Sequence, residues 1–233
     1  MKNKMIETLT IHFTNELNSA DITKFRGAVI AAIENADTLY HNHAGEGFRY
    51  AYPLIQYKRL RGKAAIVCIG EGKDKIGSFF AANNFNFNIG TKTYEMEIES
   101  ILPRKTMVQL WDSTFAYRIH RWLPLNAVNY QAYTQTEALT EQMHLLEKIL
   151  VGNLLSFTKG MGIHLEEELL CKLTRLSEPF AVKNKGIKLL AFDIEFKTNL
   201  SLPQYIGIGK NASIGYGVLT KVVKKNEEKN TNN

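Results

Sequence analysis

Two stretches of this chain carry residue types that could do chemistry. The first runs from Leu39 to Lys58 and holds His41 and His43, two residues apart, ahead of Arg49 and Tyr50. In an extended segment, residues i and i+2 project to the same side, so both imidazoles could meet one ligand. Imidazole titrates near neutrality, so such a pair can hold one neutral and one protonated member at roughly pH 6 to 7. Cleavage of an RNA strand by its own 2′-hydroxyl needs that combination. One group takes the 2′-proton, the other protonates the departing 5′-oxygen, and a cation offsets charge on the phosphorane. Each acid or base role is worth about 10²- to 10⁴-fold, and fixed donors add a comparable factor. Two other readings stand beside this one. The histidines can be solvated residues of a glycine-containing loop, or metal ligands. Metal binding needs at least a third donor, and Glu46, His12 and His120 are candidates without a metal-site spacing to the pair.

The second stretch is Gly207-Ile208-Gly209-Lys210-Asn211-Ala212-Ser213-Ile214-Gly215-Tyr216-Gly217. Glycine lets backbone N–H groups approach a ligand closely, and a run of such amides beside Lys210 and Ser213 makes a concave anion site. Residues 207–212 fit G-x-G-x-x-A. A dinucleotide fold, however, needs a helix there and an acidic residue about twenty residues on, where this chain nearly ends. It is not a P-loop, because Asn211 follows Lys210 in place of Ser or Thr and Gln204 stands where the first glycine belongs. The plain alternative is a long hairpin linker.

The elements that would position these stretches follow from periodicity. Met5 to Phe13 alternates as a strand. Ser19 can cap a helix with Ile22, Phe25, Val29 and Ile33 on one face. Tyr52 to Arg59 and Ala64 to Ile69 read as strands joined at an Arg61-Gly62 turn. A short helix at Asp74 to Ala82 and a strand at Lys92 to Ile101 close a β-α-β-β-α-β unit. Leu102-Pro103 marks the boundary. Beyond it, Thr106 to Trp122 is strand-rich and Thr136 to Thr158 is the longest helix, with its stripe at Leu139, Met143, Leu146, Leu150 and Leu154. Glu168 to Leu176 and Ile187 to Thr198 are strands, the glycine run replaces a second helix, and Tyr216 to Val223 is the last strand. The expected fold class is α+β, two tandem ferredoxin-like (RRM-like) domains over residues 1–102 and 103–224, with a loose polar tail at 225–233. Phe79, Phe80, Phe85 and Phe87 read as core, and Trp111 and Trp122 as packing residues.

The chain has 233 residues, a 45% hydrophobic share and a net charge of +6. That suits a globular protein meeting a polyanion through one patch. Basic clusters fall at Lys58, Arg59, Arg61 and Lys63, at Arg118 and Arg121, at Lys183, Lys185 and Lys188, and at Lys221, Lys224 and Lys225. Cys68 and Cys171 sit in apolar runs without a CxxC, which suits buried thiols in a reducing, cytoplasmic setting. No apolar run is long enough to span a membrane, and the N-terminus has no signal core.

Together these residues resemble the CRISPR-associated repeat-processing endoribonucleases of the RAMP superfamily, over nearly the whole chain. Residues 207–217 look like that family's glycine-rich loop, G-x-G-x-x-x-S-x-G-[YF]-G, ahead of the last strand. Tyr40-His41-Asn42-His43, Arg49-Tyr50 and Pro53-Leu54-Ile55-Gln56-Tyr57 are similar to the branch with two histidines after the first helix. The resemblance implies two ferredoxin-like domains side by side, with RNA in the cleft and on the basic face. It implies metal-independent cutting within CRISPR repeat RNA of precursor transcripts, leaving a 2′,3′-cyclic phosphate (or its opened form) and a 5′-hydroxyl, with no cofactor. By this resemblance His41 and His43 are the base and acid, in unassigned order, and Tyr50 assists them. A family lysine at the scissile phosphate has no clear match, so Lys24, Arg26 or Arg49 would substitute, Arg49 being the choice for phosphorane charge. Gly207, Gly209, Lys210, Ser213, Gly215 and Gly217 would grip the RNA backbone. The chain would act as a monomer or homodimer, with other CRISPR effector subunits as further partners. The rival reading is a related RAMP subunit that coats guide RNA without cutting, which would have no use for a titrating pair. A small-molecule enzyme on the same fold is a third.

Overall fold

The computed structural model describes residues 4–33, 36, 38–41, 43–44, 47–48, 52–82, 85–184 and 186–222, with the backbone alone at 41, 43, 44, 47 and 48. The alternating N-terminus forms β1 (Lys4–Glu16). A 3-10 turn at Ser19–Asp21 leads into α1 (Ile22–Ala31), and Ile22, Phe25, Val29 and Ile33 are buried as their spacing requires. Ser19 is not the cap. Asn18 and Asp21 precede the two turns, neither caps through its side chain, and Asp21 pairs with Lys24 at 2.8 Å. The chain continues through α2 (Thr38–His41), β2 (His43–Ala44) and β3 (Gly47–Phe48) to β4 (Ile55–Leu60) and β5 (Lys63–Ile69). Arg61 and Gly62, both at positive φ, make the tight turn between β4 and β5, the geometry that suits a twisted two-residue hairpin.

The expected single helix at 74–82 is two short ones, α3 (Glu71–Lys75) and α4 (Gly77–Ala81). The expected strand at 92–101 is also divided. β6 (Asn86–Ile89) and β7 (Lys92–Glu95) pair as a hairpin, and β8 (Ile98–Val108) joins β1. The break falls where Asn15 Oδ1 accepts the Glu97 N–H at 2.9 Å. Phe79 and Phe87 are fully buried, with Phe80 and Phe85 packed against the same core, so these rings are structural.

Then follow β9 (Leu110–Trp122), α5 (Ala127–Gln135), α6 (Leu139–Gly160), β10 (Cys171–Leu176), β11 (Phe180–Asn184), β12 (Ile187–Leu200) and β13 (Val218–Lys221). On α6 the stripe Leu146, Leu150, Leu154 and Phe157 is buried, each worth roughly 1.5–3 kcal/mol, whereas Leu139 at the helix start is exposed. Trp122 is buried, with its indole N–H on Asn153 Oδ1 at 3.0 Å. Trp111 is 43% exposed and donates to Ser201 Oγ at 2.9 Å.

The two sheets run β4-β5-β1-β8 and β10-β12-β9-β13, all antiparallel, with β11 beside β12. Setting aside the small hairpins, each places its last strand beside its first and its third beside its second, the ferredoxin-like order. Leu102 and Pro103 pair with Thr10 and Leu9 in the middle of β8, so the chain passes between sheets at Gln109 and not at 102–103. Proline is tolerated there because β8 is an edge strand and its missing N–H breaks no ladder.

Candidate active site

The glycine run is the tip of a hairpin that folds back onto the first sheet. Its arms pair through Tyr205 N–H to Leu219 O at 2.7 Å, Leu219 N–H to Ile206 O at 2.9 Å and Ile208 N–H to Gly217 O at 2.8 Å. The tip then lies along β4, where Tyr57 N–H donates to Ser213 O at 2.8 Å and Ile214 bridges Tyr57 in parallel. Gly207 N–H donates to Gln56 Oε1 at 2.8 Å, and its carbonyl accepts from the Tyr52 hydroxyl at 2.9 Å. A Cβ on Gly207 would stand 2.6 Å from both Ala212 O and Lys58 Nζ, so only glycine fits. Gly217 N–H donates to Arg121 O at 3.1 Å. The amides of Gly207 and Gly217, expected to face a phosphate, are committed inside the protein. Close packing, rather than approach to a ligand, explains these two glycines: Gly207 lies against the first lobe and Gly217 against the opposite arm of its own hairpin. Gly215 is buried and Gly209 and Ser213 are half-buried, whereas Lys210 stands exposed at the tip.

Lys58 belongs by sequence to a basic cluster expected to meet a polyanion, but it is fully buried. Its ammonium donates to Ala212 O at 2.6 Å. Burial pushes its pKa from 10.5 down to about 7. Between those values the unfolded chain binds a proton that the folded chain does not, so stability rises with pH across that window and is flat outside it. Lys58→Met should remove this dependence. Denaturant midpoints at pH 7 and pH 9.5 are expected to climb in the parent and stay level in the variant, apart from the background set by other groups. Parallel curves would contradict the assignment.

The histidine segment leaves the same strand. α2, which ends at His41, packs against β4. His41 closes a helical turn and His43 opens β2, so the i, i+2 rule of an extended strand does not govern the pair. The His41 and His43 side chains, and all of Arg49 and Tyr50, lie outside the described residues. The segment is held at both roots. Tyr40 is buried, with its hydroxyl on Lys75 O at 2.8 Å and Ser78 Oγ at 3.0 Å. Tyr52 packs edge-on to Phe157 and reaches the glycine hairpin. The backbone thus sets α2, which ends at His41, and the hairpin tip on one strand. Sequence reasoning missed Tyr52 and Gln56 as connectors. A signal was present, since Gln56 and Lys58 put two polar residues on one face of a strand otherwise rich in β-formers.

Around the hairpin base lies a cleft of about 1190 Å³ between the sheets. Arg59, Arg61, Lys63, Arg104, Arg121 and Lys221 line it, against Glu99 and Asp193, with His12, His120 and Tyr205 on its walls. Lys63 is paired to Glu99 at 2.8 Å, and His120 Nδ1 stands 3.7 Å from Asp193. Burial lowers the His12 pKa. Arg121 and Tyr205 hold positive φ without being glycine and outside any two-residue hairpin turn, and such residues cluster at functional sites. The Arg121 guanidinium lies 5.1 Å from the Tyr216 ring centre. Of the other possible substitutes for a phosphate-holding lysine, Lys24 pairs with Asp21, and Arg26 is partly buried near Tyr57.

Two ferredoxin-like lobes joined through a glycine hairpin are the arrangement that the resemblance to the RAMP superfamily implies. A family model for the Cas6b N-terminal domain matches residues 4–107, and one for the Cas6b C-terminal domain matches residues 109–222. The chain belongs to the Cas6b family. A crystal structure of a Cas6b superposes with a TM-score of 0.84 at 31% identity, covering 94% of this chain and 100% of the other. A second, described as CRISPR RNA processing endoribonuclease Cas6b, gives 0.72 at 29% identity with the same coverage. An uncharacterised protein of Methanocaldococcus jannaschii is 41% identical over 104 residues, 45% of this chain and 69% of its own length.

Proposed function

We propose that this protein is an endoribonuclease that cuts CRISPR repeat RNA in precursor transcripts to give guide RNA. The observation that carries this reading is membership of the Cas6b family across both lobes. The backbone, which sets α2, ending at His41, and the glycine hairpin on one strand, is consistent with it. In the proposed reaction the 2′-oxygen attacks the adjacent phosphorus and the bond from phosphorus to the 5′-oxygen breaks. One of His41 and His43 takes the 2′-proton and the other gives a proton to the 5′-oxygen. A 2′,3′-cyclic phosphate and a 5′-hydroxyl result, with no water consumed and no metal required. Tyr50 orients the 2′-oxygen or the phosphate, Arg49 offsets phosphorane charge, and Lys210 with the tip residues Gly209, Ser213 and Gly215 holds the strand nearby. The basic cleft carries flanking phosphates, whose neutralisation makes affinity fall steeply with salt.

Repeat RNA with a single 2′-deoxy nucleotide at the cut, and unmodified RNA in EDTA, test the chemistry. The deoxy substrate should bind and resist cutting, and EDTA should leave the rate unchanged. Cutting of the deoxy strand, or loss of activity with EDTA, would overturn the mechanism.

A further inference from the structure

Three hydrogen bonds near the lobe junction close into a ring. Gly207 N–H donates to Gln56 Oε1 at 2.8 Å, Gln56 Nε2 donates to the Tyr52 hydroxyl at 3.0 Å, and that hydroxyl donates to Gly207 O at 2.9 Å. The second Gln56 amide proton goes to Pro53 O at 2.9 Å, so the amide is satisfied in one orientation. Gln56 is fully buried. The ring therefore grips both faces of one glycine residue in the second lobe and ties it to residues 52 to 56 of the first. Residue 52 is the first described residue after the histidine segment. Its other root is fixed by Tyr40 to Lys75 and Ser78, wholly within the first lobe. A segment anchored at one end to its own lobe and at the other to the neighbouring lobe takes its position from the junction.

We infer that Tyr52 and Gln56 are positioning residues: their ring with Gly207 sets the histidine segment against the glycine hairpin, so that RNA held by the second lobe meets the imidazoles of the first. This rests on the function proposed above. The ring touches no reacting atom. It acts through the placement of the segment, and displacement by about 1 Å at a reacting centre can cost about 10²-fold.

Tyr52→Phe is the informative variant, because it removes the hydroxyl and keeps the ring edge-on to Phe157, with centroids 5.1 Å apart. Single-turnover cleavage of repeat RNA should fall about 10- to 100-fold, with the Kd for RNA close to the parent value and the melting temperature lower by only a few degrees, the cost of leaving the Gly207 carbonyl and one Gln56 N–H unpaired. Gln56→Met should act in the same direction. In a His41→Ala, His43→Ala background, adding Tyr52→Phe should cost nothing further, since there is no placed pair left to displace. The double histidine variant run alone separates the two levels. If it cuts as fast as the parent, the underlying reading fails. If it is inactive while Tyr52→Phe cuts at the parent rate, the positioning inference alone fails. A Tyr52→Phe rate that falls only in proportion to unfolded protein would also overturn it.

Discussion

The double variant His41→Ala, His43→Ala is expected to bind repeat RNA about as well as the parent and to cut it roughly 10⁴-fold more slowly or worse. Two proton transfers are lost, each worth about 10²- to 10⁴-fold. Residues that act as a unit lose activity non-additively, so either single variant should forfeit much of the same rate. Affinity should survive because the cleft cations Arg59, Arg61, Arg104, Arg121 and Lys221, proposed above to carry flanking phosphates, are untouched. The comparison is made under single turnover, with the Kd measured on uncleavable 2′-deoxy RNA. A double variant that processes RNA at the parent rate would remove the histidines from the mechanism and restore the non-cutting RNA-binding subunit as the better reading.

Gly217→Ala is expected to destabilise the protein by roughly 3 kcal/mol or more. Gly217 sits at φ +65°, and an added Cβ would run into the carbonyl of Ile208, whose carbon and nitrogen would lie 2.9 and 3.0 Å away. That backbone cannot yield cheaply. Ile208 N–H is bonded to Gly217 O, and Gly217 N–H to Arg121 O. For a chain of this size the loss corresponds to a melting temperature lower by roughly 10 °C, and the hairpin that joins the lobes should loosen with it. Gly152 provides the contrast. It lies in α6 with no atom within 4 Å of an added Cβ, so Gly152→Ala should stabilise by roughly 0.5–1 kcal/mol. Equal melting temperatures for the two variants would show that the arms of the hairpin are not packed as described.

Most of the strand and helix plan could be read from periodicity, because each sheet buries one face against its own helices. Ile22, Phe25, Val29 and Ile33 on α1 and the run Leu146, Leu150, Leu154 on α6 fall inward as spaced. The Arg61-Gly62 turn was equally legible. What escaped was set by the other lobe. Lys58 alternates like a surface residue, but the glycine hairpin covers that face of β4 and buries it. The glycines read as a ligand cradle because their small size and free backbone suit a phosphate and a neighbouring chain segment equally well. Gly207 and Gly217 serve the second purpose. Pro103 read as a boundary, since nothing local distinguishes a linker from an unpaired strand edge. The helical turn ending at His41 was hidden by a segment too short to show a period.

The central claim is that the scissile phosphate lies between the histidine segment and the hairpin tip. Photo-crosslinking measures this directly, with 4-thiouridine placed on either side of the cut in uncleavable 2′-deoxy repeat RNA and the adducts mapped by mass spectrometry. Adducts are expected in two peptides together, one within residues 40–52 and one within 208–216. Adducts confined to the cleft peptides around Arg61 and His120, with neither of those segments labelled, would place the cut elsewhere and contradict the account.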